Sequence, residues 1–89
     1  MDLIVLTRPV LNWSKAKEVY LFGSYARGEM NEESDINIEI IGSNKSKEEI
    51  EYKLEKITNK VCNVLFAEEK ISNKFRQEID EEKFLIYGG

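Results

Sequence analysis

The chain has 89 residues, of which 42% are hydrophobic and 34% are charged, and its formal net charge is −4. This length allows one folded unit, so we expect residues 1–89 to form a single soluble domain. The acidic balance argues against generic binding to nucleic acid, which favours a basic surface. The sequence contains no histidine, which excludes Ser-His and Cys-His catalysis and histidine-ligated zinc sites.

The apolar runs and the single cysteine predict the cellular location. No apolar run exceeds about five residues, whereas a membrane helix needs about 20. The N-terminal segment "MDLIVLTRPVL" has an early Asp2 and too short an apolar stretch for a signal peptide. Cys62 alone supports no internal disulfide. We therefore expect a cytoplasmic protein that contacts no membrane.

Hydrophobic patterning predicts elements in the order β-β-α-β-α-β, preceded by a short N-terminal helix. In that helix Pro9 is expected in the first turn, where its missing N–H is not needed. Glycine and polar residues separate the elements. The predicted strands are 18–22, 35–41, 60–66 and 83–87, and the predicted helices are 47–58 and a segment capped by Ser72.

Two local patterns indicate the architecture. Ser46 and Glu49 form a capping box, and apolar residues recur at helical spacing from Ile50 to Ile57, which predicts the helix over 47–58. Only a loop separates the first two strands, which favours antiparallel neighbours, and this helix provides the crossover to the third strand. We therefore expect an α/β (α+β) fold with a mixed sheet of about four strands packed against helices.

The segment "LFGSYARGEMNEESDINIEI" contains the candidate functional residues. Gly23 and Ser24 end an apolar strand, and the backbone amides and serine hydroxyl of such a turn can bind phosphate. The spacing from Gly23 to Gly28 matches a P-loop, but Glu29 replaces the lysine of that motif, so we reject this assignment. A strand-ending turn with Ser24 as helix cap explains the same residues without a ligand.

Asp35, Asn37 and Glu39 alternate along the next strand and therefore share one face. Such a polar face is ordinarily just half-exposed surface. Two oxygen ligands two residues apart can instead share a Mg²⁺ whose other ligands are substrate phosphates. The turn and the strand together have the arrangement required for metal-assisted phosphoryl or nucleotidyl transfer. Glu39 lies about 6.5–7 Å further along the strand, so we expect it to be too distant to take part.

The spacing Gly23-Ser24, ten residues, then Asp35-x-Asn37 resembles the Gly-Ser-x10-Asp-x-Asp signature of the DNA polymerase beta-like nucleotidyltransferase superfamily. The string "LFGSYARG…SDIN" is similar to the minimal nucleotidyltransferases, whose usual form is close to LFGSxARG…SDxD. The segment "KVCNVLFAEEKISNKFRQEIDEEKFLIYG" resembles that family's third-carboxylate strand, closing helix and terminal strand. The resemblance extends from Ala16 to Gly88 and implies the nucleotidyltransferase fold.

The resemblance also implies a nucleotide and two metal ions. In this family the Gly-Ser turn holds the triphosphate of the incoming nucleotide, and three carboxylates bind two Mg²⁺ ions and draw the proton from the attacking hydroxyl. Position by position, it implies Gly23 and Ser24 as nucleotide-binding residues and ATP as the donor. Arg27 matches the family's arginine, which either steadies the loop or meets a phosphate.

By the same resemblance, the catalytic positions are Asp35, Asn37 and Asn63, of which Asp35 and Asn37 are the metal ligands on one strand. Two of the three family carboxylates are therefore asparagines. An asparagine offers one neutral oxygen, and it neither bridges two cations nor accepts a proton as a general base. We expect weak Mg²⁺ binding, and nucleotide transfer that is lost or strongly impaired.

The sequence leaves three interpretations of the asparagines open: a naturally degenerate protein that works by binding, weak activity with Mg²⁺ or Mn²⁺, or an inactivated variant of an active enzyme.

Single-domain members of the family are similar to antitoxins whose partners are all-helical HEPN-domain proteins, and some transfer AMP from ATP to that partner. The resemblance thus implies an antitoxin with a HEPN-like helical partner. A nucleotide-binding regulatory module, or an enzyme that nucleotidylates a small molecule, is the alternative.

Aromatic residues could anchor the contact with such a partner, because interfaces favour them. A small sheet also needs aromatic residues in its core, and we expect most of them to lie there. The residues concerned are Trp13, Tyr20, Phe22 and Tyr25.

Overall fold

The computed structural model describes residues 2–89 as a sheet of four strands with four helices. The helices are α1 (Leu3–Ser14), α2 (Ser24–Arg27), α3 (Lys47–Thr58) and α4 (Asn73–Glu82). The strands are β1 (Glu18–Phe22), β2 (Ile36–Ile41), β3 (Cys62–Phe66) and β4 (Phe84–Gly88). Within residues 2–89, no helix has both the length and the apolar character needed to span a bilayer. The predicted mixed α/β architecture is confirmed.

The strand order across the sheet is β3-β2-β1-β4. Strand β1 runs antiparallel to both β2 and β4, whereas β2 and β3 are parallel. Parallel neighbours need a crossover connection, and α3 supplies it. The predicted antiparallel first pair and the helical crossover are therefore both confirmed.

The hydrophobic core lies between one face of the sheet and the pair of helices α1 and α3. Leu11 of α1 and Leu54 of α3 pack there against the isoleucines of β2 that share one face, Ile36, Ile38 and Ile40. Cys62 at the start of β3 is buried in the same cluster, and its burial raises the pKa of the thiol. The alternation predicted for β2 thus gives the sheet one apolar and one polar face.

The capping residues of α3 and α1 explain why the start of α3 was predicted correctly and the start of α1 was not. Ser46 Oγ accepts a hydrogen bond from Glu49 N at 3.2 Å, as expected for the start of α3. Helix α1 instead begins after Asp2, whose side chain accepts from Ile4 N at 3.0 Å, so Pro9 lies inside the helix and not in its first turn. Asp2 supplies the N-terminal cap, and this moves the helix start away from the proline.

The polar face of the sheet is covered by α4. Glu39 points from this face and is only 1% exposed, and its carboxylate pairs with Arg76 and, at 3.5 Å, with Lys83. The Glu39 carboxylate raises the pKa of the Arg76 guanidinium. Ile79 is the one fully buried side chain of α4. Two apolar contacts also hold α4 on the sheet, those of Ile79 and of Phe75, whose ring packs edge-on against Phe22 at a centroid distance of 6.1 Å. The Glu39 carboxylate is engaged in the ion pairs beside them.

Replacing Arg76 by glutamine should lower the free energy of unfolding by about 2–4 kcal/mol, because the buried Glu39 carboxylate loses its closest cation. The measurement is urea unfolding at neutral pH. Arg8→Gln is the matched control, since Arg8 is exposed and forms no ion pair within residues 2–89. We expect that control to change stability by less than about 0.5 kcal/mol. Equal losses in the two variants would contradict the role given to Glu39.

Candidate functional site

The structure brings Asp35, Asn37 and Asn63 together at one end of the sheet. Asn37 and Asn63 are direct neighbours in the parallel pairing of β2 with β3. The Asn63 side-chain amide donates to Asn37 Oδ1 at 2.9 Å and to Asp35 Oδ2 at 3.3 Å. The register of the two strands therefore produces this cluster of one carboxylate and two amides, and the catalytic role given to its members stays a prediction.

The Gly23-Ser24 turn lies directly against this cluster. Gly23 has a φ of 80°, and a Cβ atom added to it would lie 2.7 Å from Asn37 Nδ2. Both the backbone conformation and the close approach therefore require glycine at this position. Gly23 also precedes α2 as its cap residue, with no side-chain capping bond, so the prediction that Ser24 caps the helix is wrong. Ser24 is instead the first residue of the short helix.

A carboxylate from the end of α4 already occupies the turn. Glu82 Oε2 accepts from Gly23 N at 2.5 Å, and Glu82 Oε1 accepts from Arg27 Nη1 at 2.9 Å. Arg27 Nε also donates to Glu29 Oε1 at 2.9 Å. The hydrogen bonds that Arg27 donates to Glu29 and Glu82 raise the pKa of its guanidinium. These contacts join Arg27 to the loop and to the end of α4, and its assignment as a nucleotide-binding residue stays a prediction.

Sequence reasoning missed Glu82. It follows Gly23 by 59 positions and stands in an acidic run, Asp80 to Glu82, that looks like an ordinary solvated helix surface. Nothing in the local pattern distinguishes it from Glu81. The placement of Glu82 depends on how α4 packs on the sheet, which the sequence does not reveal.

The side chains of the cluster do not fit the two Mg²⁺ ions that the fold family implies. Mg²⁺ takes oxygen ligands, most often carboxylates, whereas here an amide N–H points at both the Asp35 carboxylate and the Asn37 carbonyl. In the described part of the chain, no group of three or more His, Cys, Asp or Glu side chains converges on a point where a metal could sit. Hydrogen bonds within the cluster engage the oxygens of Asp35 and Asn37.

Comparisons with known proteins agree on the fold. A family profile described as "Nucleotidyltransferase domain" matches residues 3–87. The chain is similar to a Methanocaldococcus jannaschii protein named "Putative protein adenylyltransferase", with 33% identity over 84 residues, 82% of this chain and 80% of that protein.

Two solved structures have the same fold. One is a crystal structure of a toxin-antitoxin with AMP-PNP, with a TM-score of 0.80, 22% identity, and coverage of 97% of this chain and 73% of that chain. The other is a tri-AMPylated HEPN toxin of Shewanella oneidensis in complex with an MNT antitoxin. For that complex the TM-score is 0.72, the identity is 18%, and 98% of this chain and 71% of that chain are covered.

Replacing Glu82 by alanine should lower the free energy of unfolding by about 1–2 kcal/mol, because Gly23 N and Arg27 both lose their charged acceptor. Urea unfolding measures this change. Glu78→Ala, on an exposed position of the same helix, is the control for helix propensity and net charge. If Glu78→Ala costs as much as Glu82→Ala, Glu82 does not hold the turn.

Proposed function

Because the chain belongs to the nucleotidyltransferase domain family, we propose that it is the antitoxin-like member of a pair with a HEPN-type helical protein. In this role it binds the partner and has lost most or all of the family's nucleotide transfer. The adenylyltransferase relative and the toxin-antitoxin structures with the same fold support this proposal. A single domain over residues 1–89 and a cytoplasmic location, both predicted from sequence, are part of it.

The observation that carries the loss of transfer is the double hydrogen bond of Asn63. Its amide donates to the oxygens of Asp35 and Asn37, the two positions that the family resemblance gives to metal ligands. One carboxylate remains where the family has three. Losing metal-based stabilisation of the transition state costs several kcal/mol, or about three orders of magnitude in rate.

The nucleotide-binding half of the site is better preserved than the metal-binding half. Gly23, Ser24 and Arg27 match the family, and the short helix α2 follows the turn. The match of these three residues favours the second candidate function, a module that binds ATP without turning it over. A triphosphate would have to displace the Glu82 carboxylate, which is of the same charge, from the Gly23 amide and the Arg27 guanidinium.

Restoring the two carboxylates should restore metal-dependent chemistry. In Asn37→Asp/Asn63→Asp, three carboxylates converge and repel one another until Mg²⁺ or Mn²⁺ binds. Label from α-labelled ATP should then pass to a co-purified helical partner, with a rate at least about three orders of magnitude above that of the unaltered chain. Transfer by the unaltered chain at a similar rate would show that another group completes the metal site.

A second measurement needs no partner. Mg²⁺ should raise the unfolding midpoint of the restored variant, because a ligand that binds only the folded state stabilises it. The unaltered chain should show no such increase. Asn44→Asp/Asn73→Asp adds the same two charges away from the site and should behave like the unaltered chain. Equal Mg²⁺ stabilisation of both double variants would mean that the ion responds to net charge and not to this cluster.

A further inference from the structure

A groove between α1 and α3 lies apart from the nucleotidyltransferase site. Its volume is about 420 Å³, and it is open to solvent. These helices pack on the apolar face of the sheet, whereas Asn37 and Glu39 point from the opposite face. The lining is mainly apolar and aromatic and comes from both helices: Pro9, Val10, Trp13, Tyr52, Lys53, Lys56 and Ile57.

Lysine side chains surround the aromatic residues of this groove. The ammonium groups of Lys45 and Lys53 lie 5.0 and 4.7 Å from the centroid of the Trp13 ring. The Lys56 ammonium lies 5.5 Å from the centroid of the Tyr52 ring. Attraction between a cation and an aromatic face holds these side chains along the groove.

These three ammonium groups form no ion pair in the part of the chain that the structure describes. Within residues 2–89, no carboxylate lies within 4.0 Å of any of them. Lys45 and Lys53 stack on the same ring, so their charges lie within about 10 Å of each other, which is about one Debye length. Three ammonium groups that form no ion pair within residues 2–89 therefore surround one apolar groove of a chain with net charge −4.

We propose that the α1–α3 groove binds an acidic amphipathic helix of a partner protein. The apolar side of such a helix would fill the groove against Trp13 and Ile57, and its carboxylates would meet Lys45, Lys53 and Lys56. A groove between two helices is suited to a third helix, which presents apolar anchors at positions i, i+3, i+4 and i+7. Tyr52 is 61% exposed, and contact with the incoming helix would cover it.

A protein helix fits the groove better than nucleic acid does. The lining is mainly apolar, and phosphate groups would make no apolar contact with it. A nucleic acid carries phosphate charge along its whole length and would meet the acidic remainder of a chain with net charge −4, whereas the proposed helix needs carboxylates only beside the three lysines. The inference does not depend on nucleotide transfer, because the groove and the Asn63 cluster lie on opposite faces of the sheet.

The test uses the full chain and two designed helical peptides of about 15 residues, long enough to span about 22 Å. The first peptide has leucines at the i, i+3, i+4, i+7 spacing with flanking glutamates, and in the second lysines replace those glutamates. Fluorescence anisotropy of labelled peptide gives the affinity. Emission from Trp13, the only tryptophan, reports whether binding occurs at the groove. We expect binding of the acidic peptide, a change in Trp13 emission, and affinity for the basic peptide at least about tenfold weaker.

Lys53→Glu/Lys56→Glu should weaken binding of the acidic peptide by about tenfold or more, and Tyr52→Ala should weaken it without a change in charge. The matched control is Lys70→Glu/Lys74→Glu, which makes the same charge change at exposed positions outside the groove. Circular dichroism and the unfolding midpoint verify that each variant is folded.

Three results would overturn the proposal. The first is equal affinity for the acidic and basic peptides, or no binding of either. The second is tighter binding of a mixed-sequence RNA oligonucleotide that Lys53→Glu/Lys56→Glu abolishes. The third is self-association of the chain, measured by sedimentation, that the same double variant abolishes, since the occupant would then be a second copy.

Discussion

The buried carboxylate of Glu39 is the interaction on which the polar side of this molecule depends. A carboxylate removed from water is strongly unfavourable unless cations and hydrogen bonds compensate it. Arg76 and Lys83 of the segment around α4 provide that compensation. This ion pair acts together with two apolar contacts of α4, the buried Ile79 and the Phe75 ring against Phe22, to orient the helix. The orientation in turn delivers Glu82 to the Gly23 turn, so a charge in the middle of β2 determines the structure around the candidate site.

The pairing of β2 with β3 is the second constraint on the site. Its parallel register sets Asn37 beside Asn63, and the Gly23 turn closes over Asn37 from β1. The site is therefore assembled at the ends of three adjacent strands, from Asn37 and Asn63 within β2 and β3 and from Asp35 and Gly23 directly beside β2 and β1. This explains how the arrangement persists although two of its three acidic positions are amides. The amides bond to each other and to Asp35, and the polar groups remain satisfied.

Much of the fold was predictable because its signals are local. The cap at Ser46, the periodicity up to Ile57 and the alternation of β2 each lie within one element, and each was confirmed. The start of α1 was predicted too late because proline favours the first turn of a helix, whereas Asp2 caps α1 and Pro9 lies inside it. The pair Glu39–Arg76 joins residues 37 positions apart, and Glu82 contacts Gly23 across 59 positions. Such contacts follow from packing, and no local pattern encodes them.

The burial of Cys62 has a kinetic consequence. The thiol lies beneath the edge strand β3, one residue before Asn63, and it is the only thiol of the chain. A thiol reacts as its thiolate and needs contact with the reagent, so a buried thiol with a raised pKa reacts only during transient opening. The thiol contacts Thr58 at the end of α3 at 3.5 Å, and the core side chains of α3 cover it. The rate at which a small reagent modifies Cys62 therefore reports transient opening of the core between α3 and β3.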